Sequence, residues 1–265
     1  MKSVFRDDIL EGKAIFVTGG GSGICLGITR AMMSHGARAV IVSRKPERLE
    51  AAAKELAAAT GRECIGIAAD VRDPKAVEAA IAGCIEKLGG LDIVINGAAG
   101  NFLAPAAQLS YNGFRTVMDI DAMGTFNVCR AAFEAWLRDH GGKVINVSAT
   151  LHYAGTPLQV HASAAKAAVD AVTRTLALEW GRLGIRVNGI APGPIADTEG
   201  MSRLAPGEAR QRIEGAIPIG RFGTIEEIAN VALFLASDAA SLIHGETIVA
   251  DGGAWFGAAA RTLGA

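Results

Sequence analysis

The residues best suited to chemistry form a glycine-rich turn near the amino terminus. Thr18 is followed by the run Gly-Gly-Gly-Ser-Gly-Ile, which separates an apolar segment from a helical one. Glycines let the backbone turn tightly and approach a pyrophosphate, while the helix that follows offers free N–H groups. At a first strand–helix junction this pattern indicates dinucleotide binding. The residues expected to hold the cofactor are Gly19, Gly21, Ser22, Gly23 and Ile24.

The end of the second predicted strand indicates which nicotinamide dinucleotide is bound. An acidic residue at this place binds the adenosine ribose 2′-hydroxyl of NAD, but this chain has Ser43, Arg44 and Lys45. A guanidinium or ammonium group suits the 2′-phosphate of NADP. The pattern favours NADPH, while a solvated pair of cations at a strand end is the structural alternative.

Two later strand ends complete the predicted cofactor site. Asp70 and Val71 follow the third strand, where a carboxylate accepts a hydrogen bond from the adenine amine. Asn96 and Ala98 follow the fourth strand, where small residues leave room for the ribose and the nicotinamide.

Short apolar runs alternate with longer helical runs, and this alternation predicts the elements that must position these residues. We expect the α/β class: a Rossmann-type, doubly wound, seven-stranded parallel sheet with helices on both faces. The predicted strands are Ala14–Thr18, Ala39–Ser43, Glu63–Ala68, Ile93–Asn96, Lys143–Ser148, Arg186–Ile190 and Thr247–Ala250. The predicted helices are Gly23–His35, Pro46–Thr60, Pro74–Leu88, Ser110–His140, Ser163–Gly181 and Thr224–Ala236.

Composition sets limits on the class of protein. The 265 residues show no repeat or linker, so we expect one domain over 1–265, with a substrate-covering loop at about 192–217. A net charge of −1 gives no case for nucleic acid, and no apolar run approaches the ~20 residues of a membrane span. No spacing of His, Cys, Asp or Glu predicts a metal site. The absence of a signal core and of a carboxyl-terminal Ser-Lys-Leu favours a cytoplasmic location.

Six segments together resemble the short-chain dehydrogenase/reductase family over nearly the whole chain. They are Thr18–Ile24, Asp70-Val71, Asn96–Gly100, Lys166, Arg186–Asn188 with Pro192-Gly193, and Asp251–Gly253. One departure is Cys25, which stands where the family's phosphate loop has its last glycine.

Within that family, four segments are similar to the peroxisomal type of 2,4-dienoyl-CoA reductase. They are Ala98–Leu103, Val117–Asp121, Gln159–Asp170 and Pro192–Gly200. The resemblance implies NADPH-dependent reduction of a 2,4-dienoyl-CoA to a 3-enoyl-CoA in the degradation of unsaturated fatty acids. It also implies a fatty acyl-CoA substrate and a homotetramer that pairs through its long helices.

The catalytic positions depart from the ordinary family pattern. The usual tyrosine is replaced by Ala162, the usual serine by Ala149 and the usual helix asparagine by Asp121, so only Lys166 of the four remains. A forming alkoxide would have neither its hydroxyl donor nor its acid, which argues against ketone chemistry. A dienoyl thioester instead delocalises the developing charge as a dienolate and takes its proton on carbon.

The resemblance assigns roles to individual residues. Asp121 is expected to supply acid chemistry through water, and Lys166 to bind the cofactor's ribose and to aid the hydride step. Three further cofactor residues are Pro192, Gly193 and Ile195. The expected substrate residues are Arg44, Arg72, Phe102, Ser110, Tyr111 and Asn112. Two alternatives stay open: a reductase of another conjugated enoyl thioester, and a catalytically silent NADP(H)-binding protein.

Overall fold

Seven parallel strands form one sheet, in the order β3-β2-β1-β4-β5-β6-β7. The computed structural model describes residues 3–198, 201 and 208–256. The strands are β1 Ala14–Thr18, β2 Arg38–Ser43, β3 Cys64–Ala68, β4 Ile93–Asn96, β5 Gly142–Val147, β6 Ile185–Pro192 and β7 Thr247–Ala250. This topology confirms the predicted doubly wound parallel sheet. Strands β2 and β3 lie on one side of β1 and strands β4 to β7 on the other, so the strand order reverses between β1 and β4. Ligands of such sheets bind outside the carboxyl ends of the strands at this switch point.

Helices cover both faces of the sheet. They are α1 Gly23–Ser34, α2 Pro46–Thr60, α3 Pro74–Leu88, α4 Tyr111–Met118, α5 Gly124–Ala132, α6 Arg138–His140, α7 Val160–Trp180, α8 Glu208–Glu214 and α9 Ile225–Ala236. Strand β1 shows why two hydrophobic cores form, because successive side chains point to opposite faces. Ile15 and Val17 pack with α1, α2 and α9, whereas Ala14 and Phe16 pack with α3, α5 and α7.

Local sequence signals place several helix ends correctly. The Asp73 side chain accepts hydrogen bonds from the backbone N–H groups of Lys75 and Ala76 at the start of α3. Thr224 and Glu227 form the predicted capping box at the start of α9. Gly61 ends α2 in the left-handed conformation, at φ 68°.

Two helices differ most from the predicted ranges. The long predicted helix starts at Tyr111 with Ser110 as its cap, and two π-helical turns, Asp119–Met123 and Phe133–Leu137, interrupt it. A 3.6-residue pattern does not reveal such turns, because each adds only one residue to a turn. Helix α7 begins three residues earlier than Ser163, whose hydroxyl donates to the Leu151 carbonyl instead of capping a helix.

The predicted loop at 192–217 begins where β6 ends and contains the short helix α8. Residues 199–200 and 202–207 of this segment lie outside the described residues. Among the residues that the structure describes, no helix has the length and apolar character needed to cross a membrane.

Candidate active site

Two loops meet at the carboxyl ends of β1 and β4 and form a backbone cradle. The hydroxyl of Thr18 accepts hydrogen bonds from the N–H groups of Gly97 and Ala98, at 3.0 and 3.2 Å. Gly19 has φ 69°, and a Cβ atom added to it would lie 2.8 Å from the Gly97 carbonyl oxygen. Glycine is therefore required at position 19 by its conformation and by this close approach.

The amino end of α1 faces this cradle and fits an anionic group. Gly23 begins the helix at φ 56°, and the side chain of Ser22 makes no capping hydrogen bond. The first-turn N–H groups therefore lack a side-chain cap, which is the arrangement that binds a pyrophosphate. The cradle and this helix end together fit a dinucleotide, and Ile24 follows in the first turn.

Cys25 is accommodated in the phosphate loop by a glycine on the neighbouring loop. A Cβ atom on Gly97 would lie only 2.0 Å from the Cys25 sulfur, so the thiol occupies the space that a side chain at 97 would take. The thiol is buried, and burial raises its pKa to about 12. Cys25 is thus an unreactive packing group, and its presence does not close the cradle.

The predicted 2′-phosphate site lies at the end of β2. Arg44 and Lys45 are exposed there, and neither forms an ion pair among the described residues. A Cβ atom on Gly21 would come within 3.7 Å of the Ser43 hydroxyl, so this strand end adjoins the glycine-rich turn. The position suits contact with the adenosine end of a dinucleotide.

Asp70 and Arg72, which were predicted to bind different ligands, bind each other. The Arg72 guanidinium lies 2.6 Å from the Asp70 carboxylate, and this hydrogen bond is the main reason that the pKa of Asp70 lies below its usual range. Arg44 adds a smaller electrostatic effect in the same direction. The adjacent Val71 is buried, and its carbonyl accepts a hydrogen bond from Asn127.

A chain of buried amides joins the ends of β4 and β5, and sequence reasoning did not find it. Asn96 donates to the Asn146 side-chain oxygen at 2.9 Å, and Asn146 donates to the Thr173 hydroxyl at 2.8 Å. Asn96 and Asn146 are paired in the parallel register of the two strands. The sequence signal that could have indicated this chain is an asparagine near the end of each of the two strands. The side-chain oxygen of Asn96 is buried without a hydrogen-bond partner.

The predicted catalytic pair is brought together in a buried position. Asp121 lies in the first π-helical turn, and Lys166 lies on α7. Their charged atoms are 3.2 Å apart, which is an ion-pair distance, although the angles do not fit a hydrogen bond. Lys166 instead donates to the Val147 carbonyl at 2.9 Å, while Asp121 accepts from the Gly100 N–H at 2.7 Å. These contacts hold both groups in place.

Ser148 and Ser163 lie near the positions of the missing catalytic hydroxyls. Ala162 is buried, and Ala149 directly follows Ser148 beyond β5. Ser148 donates to the Lys166 carbonyl at 3.5 Å, and Ser163 donates to the Leu151 carbonyl at 3.3 Å. Both hydroxyl groups therefore contact backbone carbonyls, and the Ser148 contact is long.

The end of β6 forms another wall at the same edge of the sheet. The Gly193 N–H donates to the Ala250 carbonyl, and a Cβ atom on Gly193 would lie 2.5 Å from the Asp251 Cβ. Glycine is therefore required at 193 by close backbone packing. Pro192 ends the strand, and Ile195 is buried against Gly223.

Four of the predicted substrate residues are exposed near the start of α4. Phe102 is 41% exposed and stacks on His161 with ring centroids 4.3 Å apart. Ser110 caps α4 by accepting from the Gly113 N–H, and Tyr111 and Asn112 are exposed beside it. Among the residues described, no group of three His, Cys, Asp or Glu side chains is placed to hold a metal ion.

Comparison with known proteins places this arrangement in a family. A family model described as enoyl-(acyl carrier protein) reductase matches residues 19–254. A Danio rerio protein named peroxisomal 2,4-dienoyl-CoA reductase, (3E)-enoyl-CoA-producing, is 51% identical over 95% of this chain and 84% of its own length. The chain belongs to the short-chain dehydrogenase/reductase family. Its predicted resemblance to the peroxisomal type of 2,4-dienoyl-CoA reductase is confirmed.

Two bacterial proteins extend the comparison. A Bacillus subtilis relative named probable 2,4-dienoyl-CoA reductase, (2E)-enoyl-CoA-producing, is 41% identical over 93% of this chain and 98% of its own length. The solved structure of a citronellol catabolism dehydrogenase from Pseudomonas aeruginosa has a TM-score of 0.85 and 34% identity. That match covers 96% of this chain and all of the other.

The predicted cytoplasmic location is wrong. The Danio rerio relative and five further relatives, at 44–52% identity, carry the word peroxisomal in their names. The prediction depended on a missing carboxyl-terminal tripeptide, which is a receptor-read address and not a physical property of the fold. The absence of one such address therefore does not decide the compartment.

Proposed function

We propose that this protein reduces 2,4-dienoyl-CoA thioesters to 3-enoyl-CoA with NADPH. The observation that carries the proposal is the buried Asp121–Lys166 pair beside two alanines, at the positions where the family usually has serine and tyrosine. Reduction of a ketone needs a hydroxyl group that gives a proton to the carbonyl oxygen. Reduction of a conjugated thioester does not, because the proton goes to carbon. The names of relatives at about half identity agree with this assignment.

NADPH is the cofactor that the described residues fit best. The Gly19 cradle and the uncapped end of α1 suit the pyrophosphate, while Arg44 and Lys45 offer positive charge for a 2′-phosphate. Bound NADPH supplies the hydride that adds to C5 of the diene. Pro192, Gly193 and Ile195 form the wall proposed to lie beside the nicotinamide.

Asp121 and Lys166 have different roles in the steps that follow hydride addition. After hydride addition at C5, the electron pairs shift so that a C3=C4 double bond forms and the charge reaches the thioester oxygen. A proton must then reach C2 to give the 3-enoyl product. Asp121 orients and polarises the water that delivers this proton. Lys166 pairs with Asp121, fixes its position and binds the ribose.

The acyl-CoA is proposed to enter from the side of Phe102 and the start of α4. Ser110, Tyr111 and Asn112 lie exposed on this side and offer polar contacts to the CoA pantetheine. Arg72 retains one exposed edge beside Asp70 and supplies positive charge for the CoA phosphates, together with Arg44. Phe102 offers an apolar face to the acyl chain.

A homotetramer is proposed from the apolar residues exposed on the long helices. Met123 and Phe126 are 51% and 38% exposed beside and on α5, and Leu178 of α7 is 86% exposed. Large exposed apolar side chains on adjacent helices favour burial against a second copy. Light scattering of the purified protein should give four times the mass of the chain, and a monomer would contradict this part of the proposal.

The test of the function is turnover of a short 2,4-dienoyl-CoA, followed as NADPH oxidation, with the product's double bond located by NMR. We expect a 3-enoyl-CoA. A 2-enoyl-CoA would mean that the proton reaches C4, as the name of the Bacillus subtilis relative implies for that protein. Measurable NADPH binding without turnover of any conjugated thioester would favour a silent binding protein.

A further inference from the structure

The proposed reaction needs hydrogen-bond donors to the thioester oxygen in addition to the catalytic pair. Asp121 is an acceptor, and Lys166, which donates to the Val147 carbonyl and pairs with Asp121, is assigned to the ribose. The Ser148 and Ser163 hydroxyls contact backbone carbonyls. Negative charge that develops on an oxygen in a dry site is stabilised chiefly by such donors.

His161 is a buried donor without a partner. Its side chain is 0% exposed, and neither ring nitrogen makes a hydrogen bond. Buried polar atoms are almost always paired, so two unpaired nitrogens on one ring call for an explanation. Phenylalanine at this position would stack on Phe102 without leaving any polar atom unpaired, so packing alone does not account for a histidine.

Sequence position and one ring contact relate His161 to the catalytic pair. It directly precedes Ala162, where the family usually has its tyrosine. Its ring stacks on Phe102, two residues beyond the Gly100 N–H that binds Asp121.

Further contacts tie this loop to the start of α7. Asn101 donates to the Gln159 side chain at 2.7 Å, and the Ala104 N–H donates to the Leu158 carbonyl at 2.9 Å. Leu158 is held at φ 66°, a left-handed conformation that is unfavourable for leucine and is found mainly at functional sites. The backbone around His161 is therefore fixed relative to the loop that carries Gly100.

We propose that the His161 imidazole donates a hydrogen bond to the thioester oxygen of the bound dienoyl-CoA. The Phe102 ring, which is partly exposed, rotates aside when the substrate binds, while the backbone of its loop stays in place. The thioester oxygen then lies at the edge of the imidazole, in the plane of the ring, where one N–H meets the oxygen on which the charge accumulates. His161 transfers no proton, because the proton that reaches C2 comes from the water beside Asp121. This inference rests on the proposed function.

The test compares His161→Phe with His161→Gln in the full-length protein. The Phe variant keeps the stack on Phe102 but has no donor, whereas the Gln variant restores an N–H. We expect His161→Phe to lower kcat about 10²-fold and His161→Gln to recover part of the loss. The melting temperature of His161→Phe should equal or exceed that of wild type, because two unpaired polar atoms are removed.

A spectroscopic measurement separates this role from a structural one. A hydrogen bond to the carbonyl polarises the conjugated thioester and moves its near-ultraviolet band to longer wavelength. With NADP⁺ present to prevent reduction, 2,4-dienoyl-CoA bound to wild type should show this shift, and the shift should be absent with His161→Phe. His140→Phe is the matched control, because His140 stacks on Trp136 near the amino end of β5. This control should leave the band and kcat unchanged.

The outcomes distinguish this inference from the function on which it rests. Normal wild-type turnover with an unchanged band and kcat in His161→Phe would overturn the inference alone. A loss of kcat accompanied by a fall in melting temperature and an unchanged band would show that His161 is structural. Failure of the wild type to bind or reduce any 2,4-dienoyl-CoA would overturn the proposed function and this inference together.

Discussion

The two halves of the candidate site differ in what forms them, since one consists of backbone and the other of side chains. The dinucleotide half consists of backbone: Gly19 against the Gly97 carbonyl, and the first turn of α1. The reacting half consists of the Asp121 and Lys166 side chains, whose contacts span long distances along the sequence. A backbone cradle tolerates few substitutions at its glycines, whereas the reacting half changes its chemistry when one side chain changes. This contrast explains how a cofactor site can persist while the usual catalytic hydroxyls are absent.

The largest effect should come from Asp121→Asn in the reacting half. The amide can still accept from the Gly100 N–H, but the charge that orients water and pairs with Lys166 is lost. We expect kcat for 2,4-dienoyl-CoA to fall by about 10²–10⁴-fold, while NADPH still binds. Activity is followed as NADPH oxidation, and binding is followed by the fluorescence of NADPH. Asp119→Asn is the control, since Asp119 shares the π-helical turn but is only half-buried. Full activity of Asp121→Asn would remove Asp121 from the mechanism.

A matched pair of glycine variants tests the backbone half. Gly19→Ala and Gly61→Ala both place an alanine at a φ near 70°, and only the Cβ atom at position 19 meets another loop. Both variants should therefore lose stability through strain, by about 1–2 kcal/mol. Only Gly19→Ala should also weaken NADPH binding, by about tenfold, because the β4 loop must shift. Equal NADPH affinities in isothermal titration would show that the cradle does not depend on this approach.

The sequence predicted the dinucleotide half better than the reacting half. A contiguous motif at a strand–helix junction defines the cradle, and the apolar runs defined three of the strands to the residue: β1, β4 and β7. The hydrogen bonds that set the reacting half join residues far apart in the chain, such as Gly100 with Asp121 and Asn146 with Thr173. Neither the π-helical turn at Asp121 nor the pairing of Asp70 with Arg72 follows from local periodicity. Such features depend on tertiary packing.

Arg44→Ala should have a smaller overall effect, because it leaves stability unchanged and acts only at the adenosine end of the dinucleotide half. The guanidinium is exposed, so its contact with a 2′-phosphate is partly screened by solvent. We expect NADPH affinity to fall about tenfold at low salt and NADH affinity to change little. Competition titrations of both nucleotides measure the ratio, and Lys54→Ala is the control, because Lys54 is an exposed cation on α2 that pairs with Glu50. Equal losses for the two nucleotides would mean that Arg44 does not read the 2′-phosphate.

The smallest effect should come from Glu227→Gln, which tests how far the cradle depends on its support. Glu227 closes the capping box of α9, and Ile225 of that helix packs against Gly27 of α1. Hydrogen bonds from Arg221 lower the pKa of Glu227 from 4.5 to about 2. A carboxylate with a lowered pKa contributes stability that is fully present above pH 4.5 and is lost as the pH falls towards 2. The melting temperature of Glu227→Gln should therefore lie roughly 2 °C below that of wild type at neutral pH, and the difference should shrink below pH 4.5.

The NADPH affinity of Glu227→Gln should not change, because the cradle contacts of Gly19 and Thr18 do not involve α9. A loss of affinity at neutral pH would show that the backbone half is positioned by the helix behind it and not by its own loops.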